Sequence, residues 1–433
     1  MWIGNDKITK DHLELMEKRA KQIKVPTDVG RIPYKIATGE GFSGYTADQW
    51  KSFIMIYATP IMWDLLGEAD QKILTNFVKA CFLLTTRIID NNALNEAHSR
   101  LLMVARLVEE NYGPEMITPN IHLSLHLTEC CRDYGPIYGF WCYSFKRMNG
   151  ILGSLPNSHR QIELELLRII MQNWRLDDLL SFQSNNMQLA EGLKLLKQRA
   201  TLGSLASFDD LEFAELCQFR QIYRLEIEDT ITGIEPFPGE MMSPKRMNVA
   251  LPDDIYDILV KYYNDAYDSE FITIAKAATE RSGDRIVVRS QINQFGRIRV
   301  GSEIFGSVNA SRYLRNSFIR AKFVQENDSI EVFPGQVRYY FEHEVNRETH
   351  RLAYVRWFKP VTNHQMRFHF QINDDAQSCN VELWSNEFYD ISRDCIIPVH
   401  NILDRFIPCS CEIGKRNPIT CMAVIPLGKK FHM

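Results

Sequence analysis

The sequence has no CxxC pair, no GxSxG nucleophile elbow and no glycine-lysine phosphate loop of the Walker type. These absences remove the short signatures of thiol redox enzymes, self-contained zinc modules, α/β-hydrolases and P-loop nucleotidases. No apolar run is long enough to span a bilayer, and the N-terminal "MWIGNDKITKDHLELMEKRAKQ" is charged and helix-like instead of signal-like. A soluble, unsecreted protein of the nucleus or cytoplasm, with no membrane partner, is therefore expected. Ten cysteines are scattered without a framework, which fits reduced intracellular thiols. A formal net charge of −4 excludes global attraction to nucleic acid and leaves only local basic patches.

What is present is an ordinary globular composition, 45% hydrophobic and 24% charged, in a chain of 433 residues that exceeds one core and predicts two to four domains. Apolar residues recur at three- and four-residue spacing over 7–24, 46–65, 69–90 and 92–112, as in Phe77, Ala80, Cys81, Leu84 and Ile88. That period predicts four amphipathic helices. "ITPNIHLSLHLTECC" offers Thr118 as N-cap and Pro119 at the first helical position, predicting a helix over 119–132. Its alternation Ile121, Leu123, Leu125, Leu127 also fits a strand, and in either case His122 and His126 share a side. "RQIELELLRIIMQNWRLDDLL" gives a further helix, with helical turns to about residue 229. "TITGIEPFPGEMMSPKRMN" reads as a linker, and "DDIYDILVKYYNDAY" as one more helix. From 285 onward nine short β-like runs, from "DRIVVRSQI" through "MRFHFQI" to "CMAVIPL", predict a small β-barrel. The expected fold class is α+β and multidomain: a mostly helical region over 1–229, a linker over 230–250, a connecting helical segment over 251–284 and the barrel over 285–433.

His122, His126, Glu129, Cys130 and Cys131 are zinc-ligand types, and two histidines four apart on a helix reach one ion. A second ligand pair is missing, so the rival reading is buried, hydrogen-bonded histidines in a helix interface. Cys142 beside Trp141 reads as a core thiol. Asp177–Asp178 and Asp209–Asp210 read as solvated or capping residues at helix boundaries. The aromatic strand residues read first as core. The sharper alternative is that Tyr339, Tyr354, Trp357 and Phe358 line a groove for a peptide or methylated lysine, with Arg351, Arg356 and Lys359 suited to an acidic partner. Basic patches around Lys146–Arg147 and Arg312–Arg320 are candidate DNA contacts.

At "DVGRIPYKI", "FSGYTADQWKSF", "TPNIHLSLHL" and "DYGPIYGFWCYSFKRMNGILGS" the chain resembles, in consistent order over residues 1 to about 175, the C-terminal part of CACTA-type (En/Spm-like) DNA transposases. The resemblance implies a helical insertion before residue 118 and the end of an RNase H-like fold. Such enzymes use two aspartates and a glutamate to hold divalent metal, magnesium, for DNA strand cleavage and transfer. The family's Trp-x-x-x-Phe-Glu-Arg-x-x-Gly core falls on Trp141, Phe145, Lys146, Arg147 and Gly150, so a lysine stands at the glutamate position. Repulsion between that lysine and a divalent ion is on the order of several kcal/mol. The two aspartates precede the matched region, so a chain beginning at Met1 is expected to lack them. Related recombinases join a histidine pair to an upstream CxxC around a structural zinc. His122 and His126 match that pair, but the CxxC is missing, so no zinc or other cofactor is expected here.

"IEVFPGQVRYYFEHEV", "LAYVRWFKP", "VELWSNEFYDIS" and "CIIPVHNILDRF" resemble, over about 315–410, the strand order of bromo-adjacent homology (BAH) domains of chromatin proteins. The combined expectation is a truncated, catalytically inactive fragment of a CACTA-like transposase. Its alternative is a domesticated DNA- or chromatin-binding protein without catalysis. Expected partners are DNA, a chromatin or other protein through the barrel, and a full-length transposase copy supplying the acids in trans.

Overall fold

A computed structural model describes residues 7–38, 41–86, 89–142, scattered positions between 163 and 175, and then 231–237, 239–279, 285–300, 303–324, 330–373, 375, 378–414 and 418–427. Met1–Ile137 and Cys217–Met433 form one compact unit, and Tyr138–Leu216 a second. Phe145, Lys146, Arg147, Gly150 and the paired aspartates at 177–178 and 209–210 lie outside the described residues.

The expected N-terminal helices form, and their boundaries follow capping chemistry. Helix α1 (Lys10–Gln22) opens on a capping box in which Thr9 accepts from the His12 amide at 3.3 Å. The expected helix over 46–65 is realised as α2 (Ala47–Ser52), a π turn over Phe53–Tyr57, α3 (Ala58–Met62) and a closing 3₁₀ turn. The π turn adds a residue to the winding, and Phe53, Met55, Ile56 and Tyr57 are all buried there. Helix α4 (Glu68–Leu84) pairs with α5 (Asn91–Tyr112), which starts where Asp90 accepts from the Ala93 amide at 2.7 Å. It stops at Gly113, whose φ of 93° suits glycine. The helix expected over 119–132 breaks in two, α6 (Pro119–Ser124) and α7 (Leu127–Tyr134), at Leu125–His126.

The second half is built on strands. β1 (Gly239–Ala250) comes first, then helix α8 (Asp253–Ala266), the short parallel pair β2 (Phe271–Ile272) and β3 (Ile286–Val287), and between those two the helix α9 (Ile274–Thr279). The main sheet continues with β4 (Gln291–Val300), β5 (Glu303–Phe305), β6 (Phe318–Val324), β7 (Ile330–Val345) and β8 (Glu348–Pro360). It is completed by β9 (Glu382–Phe388), β10 (Ile396–Pro398), β11 (Ile402–Ile413) and β12 (Ile419–Pro426). The antiparallel order β7–β6–β11–β12–β9–β8 returns to β7, closing a ring through six strands. β4 and then β1 extend outward from β7, and β10 from β8.

Two expectations change here. Residues 239–250, read as part of a linker, form the outer strand β1, because Pro244 and two bulges are tolerated where one edge faces solvent. "MRFHFQI", read as a strand, is instead the short helix α10 (His364–Arg367) followed by turns, with Ile372 making an isolated bridge to Asp375. Asn363 caps it by accepting from the Gln365 amide at 2.9 Å, and Arg367 turns inward between Glu331 and Glu382 at 3.0 and 2.8 Å.

Each ring strand contributes to one aromatic cluster: Phe318, Phe333, Phe358, Trp384, Phe406, Met422 and Val424. The outward side of β9, β11 and β12 shares a core with the N-terminal helices, where Met16, Ala20, Tyr57 and Ile61 meet Leu383, Ile407 and Ala423. A polar tie accompanies that apolar contact. The buried Arg405 reaches Asp28 at 2.8 Å, and Asn316 donates to the same carboxylate at 3.1 Å.

The third core joins α8 to β4, β7 and β8 and holds two buried histidines opposite each other in register. His343 bonds the Tyr263 hydroxyl at 2.8 Å and the Arg289 carbonyl at 2.9 Å, and His350 bonds the Tyr267 hydroxyl at 2.7 Å. Burial pushes the His343 imidazole down to about 4, and burial lowers His350 and His400 as well. A histidine with a depressed folded pKa is neutral in the fold and protonates more readily unfolded. Its contribution is present in full above pH 6.5, its ordinary value, and is lost as pH falls toward 4. For His343 alone this amounts to on the order of 3 kcal/mol. Urea unfolding followed at neutral pH and near the low end of that window is expected to show the midpoint falling, less steeply in His343→Gln. A midpoint flat across the window would contradict the burial argument.

Candidate nucleic-acid interface

The outer pair β1 and β4 carries a group of cations that have no carboxylate partner among the described residues. Gly296 of β4 permits it, because a Cβ there would stand 2.4 Å from the Pro244 ring of β1. With the strands this close, Arg297 donates from Nε to the Ser243 carbonyl at 2.6 Å, and Lys245 lies 5.0 Å from the centre of the Phe295 ring. A second close approach brings in the 3₁₀ turn Ser311–Asn316. Gly306, just after β5, would place a Cβ 2.2 Å from the Tyr313 carbonyl. Tyr313 is thereby set between two guanidiniums, Arg297 at 4.5 Å from its ring centre and Arg312 at 6.0 Å.

Among the described residues, Lys245, Arg246, Arg297 and Arg312 form no ion pair, whereas neighbouring Arg299 is taken by Glu240 at 2.7 Å. Lys245, Arg246 and Arg312 are exposed and Arg297 half-buried. A guanidinium laid on an aromatic face keeps its edge N–H groups free for phosphate oxygens. The arrangement suits a chain of phosphates.

Of the candidates from sequence, Arg312 joins this cluster and Arg320 does not. Arg320 makes a two-pronged pair with the buried Asp404, at 2.8 and 2.6 Å, inside the β6–β11 ladder. Lys146 and Arg147 lie outside the described residues. Lys245, Arg246, Arg297 and Tyr313 were missed. Their signal was the "PKR" run in the stretch read as a linker and the alternating arginines of "GRIRV".

The four groove candidates divide. Tyr339 and Tyr354 are register partners with ring centres 5.3 Å apart. Trp357 is buried in the α8 core, its Nε1 donating to the Asp394 carbonyl at 2.7 Å, and Phe358 lies in the ring cluster. Consecutive strand residues point to opposite faces, so these four do not form one cage. Of the cations read beside them, Arg351 lies 3.8 Å from Glu342 and Lys359 3.7 Å from Glu387, while Arg356 has no carboxylate partner among the described residues.

His122 and His126 come together, with rings 5.3 Å apart edge to face, but both are exposed, against the buried-interface reading. The break at Leu125–His126 opens α7 at His126, whose Nδ1 bonds Glu129 at 3.0 Å. Among the described residues no group of three or more His, Cys, Asp or Glu side chains is arranged to hold a metal. Cys142, expected in a core, is exposed. Burial pushes the Cys81, Cys379 and Cys411 thiols up to about 12, where thiolate is scarce at neutral pH.

Placing Arg320 in a buried pair makes it a stability residue. Asp404→Ala is expected to cost about 3 kcal/mol in urea unfolding, because it leaves a half-buried guanidinium without its carboxylate. Arg320→Met with Asp404→Leu should recover most of that loss, and a double variant as unstable as the single one would contradict it. No family model, curated protein or solved structure matches the chain.

Proposed function

We propose that this chain is a CACTA-transposase-derived protein that holds DNA by its phosphates and does not cleave it. The observation that carries the DNA part is the set of four cations on the β1–β4 edge, two of them beside Tyr313 and none paired with a carboxylate among the described residues. The absence of cleavage is supported by residue type: Lys146 stands where the resembled enzymes hold magnesium with glutamate. A cationic ammonium does not fit a divalent ion, so no step is drawn through a metal. In this reading the helical region is the family's insertion with the end of its RNase H-like fold, and the six-strand ring is a small BAH-like barrel. The ring thus serves as scaffold for the cationic edge and as a platform for a chromatin protein. A full-length transposase copy bound at the same DNA is the partner through which such a chain would modulate transposition.

Phosphate contacts release counterions, so affinity should fall linearly on a log–log plot with salt, at a slope of about 0.9 for each contact. Fluorescence anisotropy of a labelled short duplex, titrated between about 50 and 200 mM salt, reads that slope. Arg297→Glu with Arg312→Glu should weaken binding for unrelated sequences alike and flatten the slope by about 2. A slope unchanged by the double substitution would remove the β1–β4 edge as the contact surface.

A further inference from the structure

A second pair of arginines stands apart from this edge, over strand β9. Arg338, the extra residue in the β7 bulge opposite β8, and Arg356 of β8 each lie 5.4 Å from the centre of the Phe388 ring. Phe388, itself half-buried, rests on Phe358 of the ring cluster at 4.4 Å. Arg338 makes no hydrogen bond or ion pair among the described residues. Arg356 donates from Nη2 to the Tyr389 carbonyl at 2.8 Å, its Nε has no partner, and no carboxylate meets it among the described residues. By contrast Arg320, Arg367 and Arg405 are each paired with carboxylates. The residues just beyond β9, Tyr389 and Ile391, are each 41% exposed.

The backbone beneath these side chains is incomplete on one side. The β9–β12 ladder ends at Trp384↔Met422, so among the described residues the run Ser385–Phe388 has no strand on its β12 side. On its other side β8 holds its end, through Phe358↔Phe388 and the Tyr389 amide donating to the Trp357 carbonyl at 2.8 Å, with a register shift before the next pair, Pro360↔Trp384. An open strand edge offers both amides and carbonyls, and a peptide can meet both, whereas a phosphate chain can accept from the amides but has no donor for the carbonyls. The guanidiniums gathered over Phe388 supply the charge preference, since neither has a carboxylate partner among the described residues even with Glu387 and Asp390 in the same segment, and aromatic and arginine side chains are the types enriched in protein interfaces.

We propose that Ser385–Ile391 with Arg338 and Arg356 is a docking site for an extended acidic peptide. The peptide adds a short strand at the open edge of β9, sets a carboxylate against the two guanidiniums, and lays an apolar side chain on Phe388 and Ile391. The site is independent of the DNA edge. Its test uses the full chain and a fluorescein-labelled peptide of alternating glutamate and leucine, with two control probes, the glutamine version of the peptide and labelled oligothymidylate. The acidic peptide should bind in anisotropy titrations, the glutamine version should bind about tenfold more weakly, and Arg338→Glu should weaken the acidic peptide by about tenfold. Arg338→Gln, which only removes the charge, should give a smaller loss in the same direction and covers the case in which the reversal does not fold. Arg297→Glu with Arg312→Glu should leave peptide binding unchanged, which separates this site from the DNA reading. Equal binding of the glutamate and glutamine peptides, no binding of either, or indifference to both Arg338 variants would overturn the proposal. So would oligothymidylate affinity that falls with Arg338→Glu while the acidic peptide fails to bind, since that result would make the face a nucleic-acid platform.

Discussion

The turn Asn346–Arg347 is the constraint on which the strand-rich half depends. Both residues take left-handed backbone, φ 52° and 68°, as a two-residue hairpin turn requires if its twist is to match the strands it joins. The turn sets β7 against β8 from Val345↔Glu348 to Gly335↔Trp357, and this pairing closes the ring. β7 is long enough to serve several partners in succession, β6 along its first half and β4 along its second. Ring closure, the attachment of the β1–β4 edge and the facing of His343 with His350 thus follow from one register. The shift between Val337 and Tyr339 in the same ladder produces the bulge that carries Arg338.

Charge placement separates the arginines that hold the fold from those available to a partner. Taking a guanidinium out of water is costly unless a carboxylate goes with it, and the interior arginines obey that rule. Arg405 meets Asp28 from the segment between α1 and α2, Arg320 meets Asp404 across two strands, and Arg367 is held between Glu331 and Glu382 over the Trp384 ring. In a chain of net charge −4, the cations left over stand out because so many carboxylates are available to pair with them. Two groups of them lie beside aromatic rings, on the β1–β4 edge and on the Phe388 face.

The helices were legible because period and caps agreed. Thr9, Thr46, Asp90 and Thr118 each mark a helix start that the apolar period also marks. The strands of the hairpin were legible from aromatic and β-branched runs, but β1 was hidden by Pro244 and by a mostly exposed surface that shows no alternation. The reverse error at Phe368, Phe370 and Ile372 has a comparable origin. Their period-2 pattern arises from turns after a short helix anchored by Arg367, whose carboxylate partners are 15 and 36 residues away in sequence. Long-range pairing also decided the site. Arg312 and Arg320 look alike in sequence, and only Asp404, across the ladder, distinguishes an unpaired surface cation from a paired, half-buried one. The same holds for Trp357 and Phe358, which are neighbours in sequence and belong to two different cores.

Aromatic rings beside arginines occur on both candidate surfaces, and their backbones make them unlike. Along β1 the outer edge is interrupted by Pro244, which has no amide hydrogen, and by shifts between Met242 and Lys245 and between Arg246 and Val249. Such an edge cannot template another strand, and Lys245 and Arg246 further oppose edge pairing. What remains there is charge on an irregular backbone, suited to a flexible polyanion whose own backbone neither donates nor accepts in a ladder. Along Ser385–Phe388 the strand is free of proline and is held at its end by β8, with a register shift between Phe358↔Phe388 and Pro360↔Trp384. There the charge lies beside an edge with no strand on its β12 side among the described residues, and an added strand can satisfy both. Proline within β1 and its absence from β9 therefore distinguish the backbones that carry two similar sets of side chains.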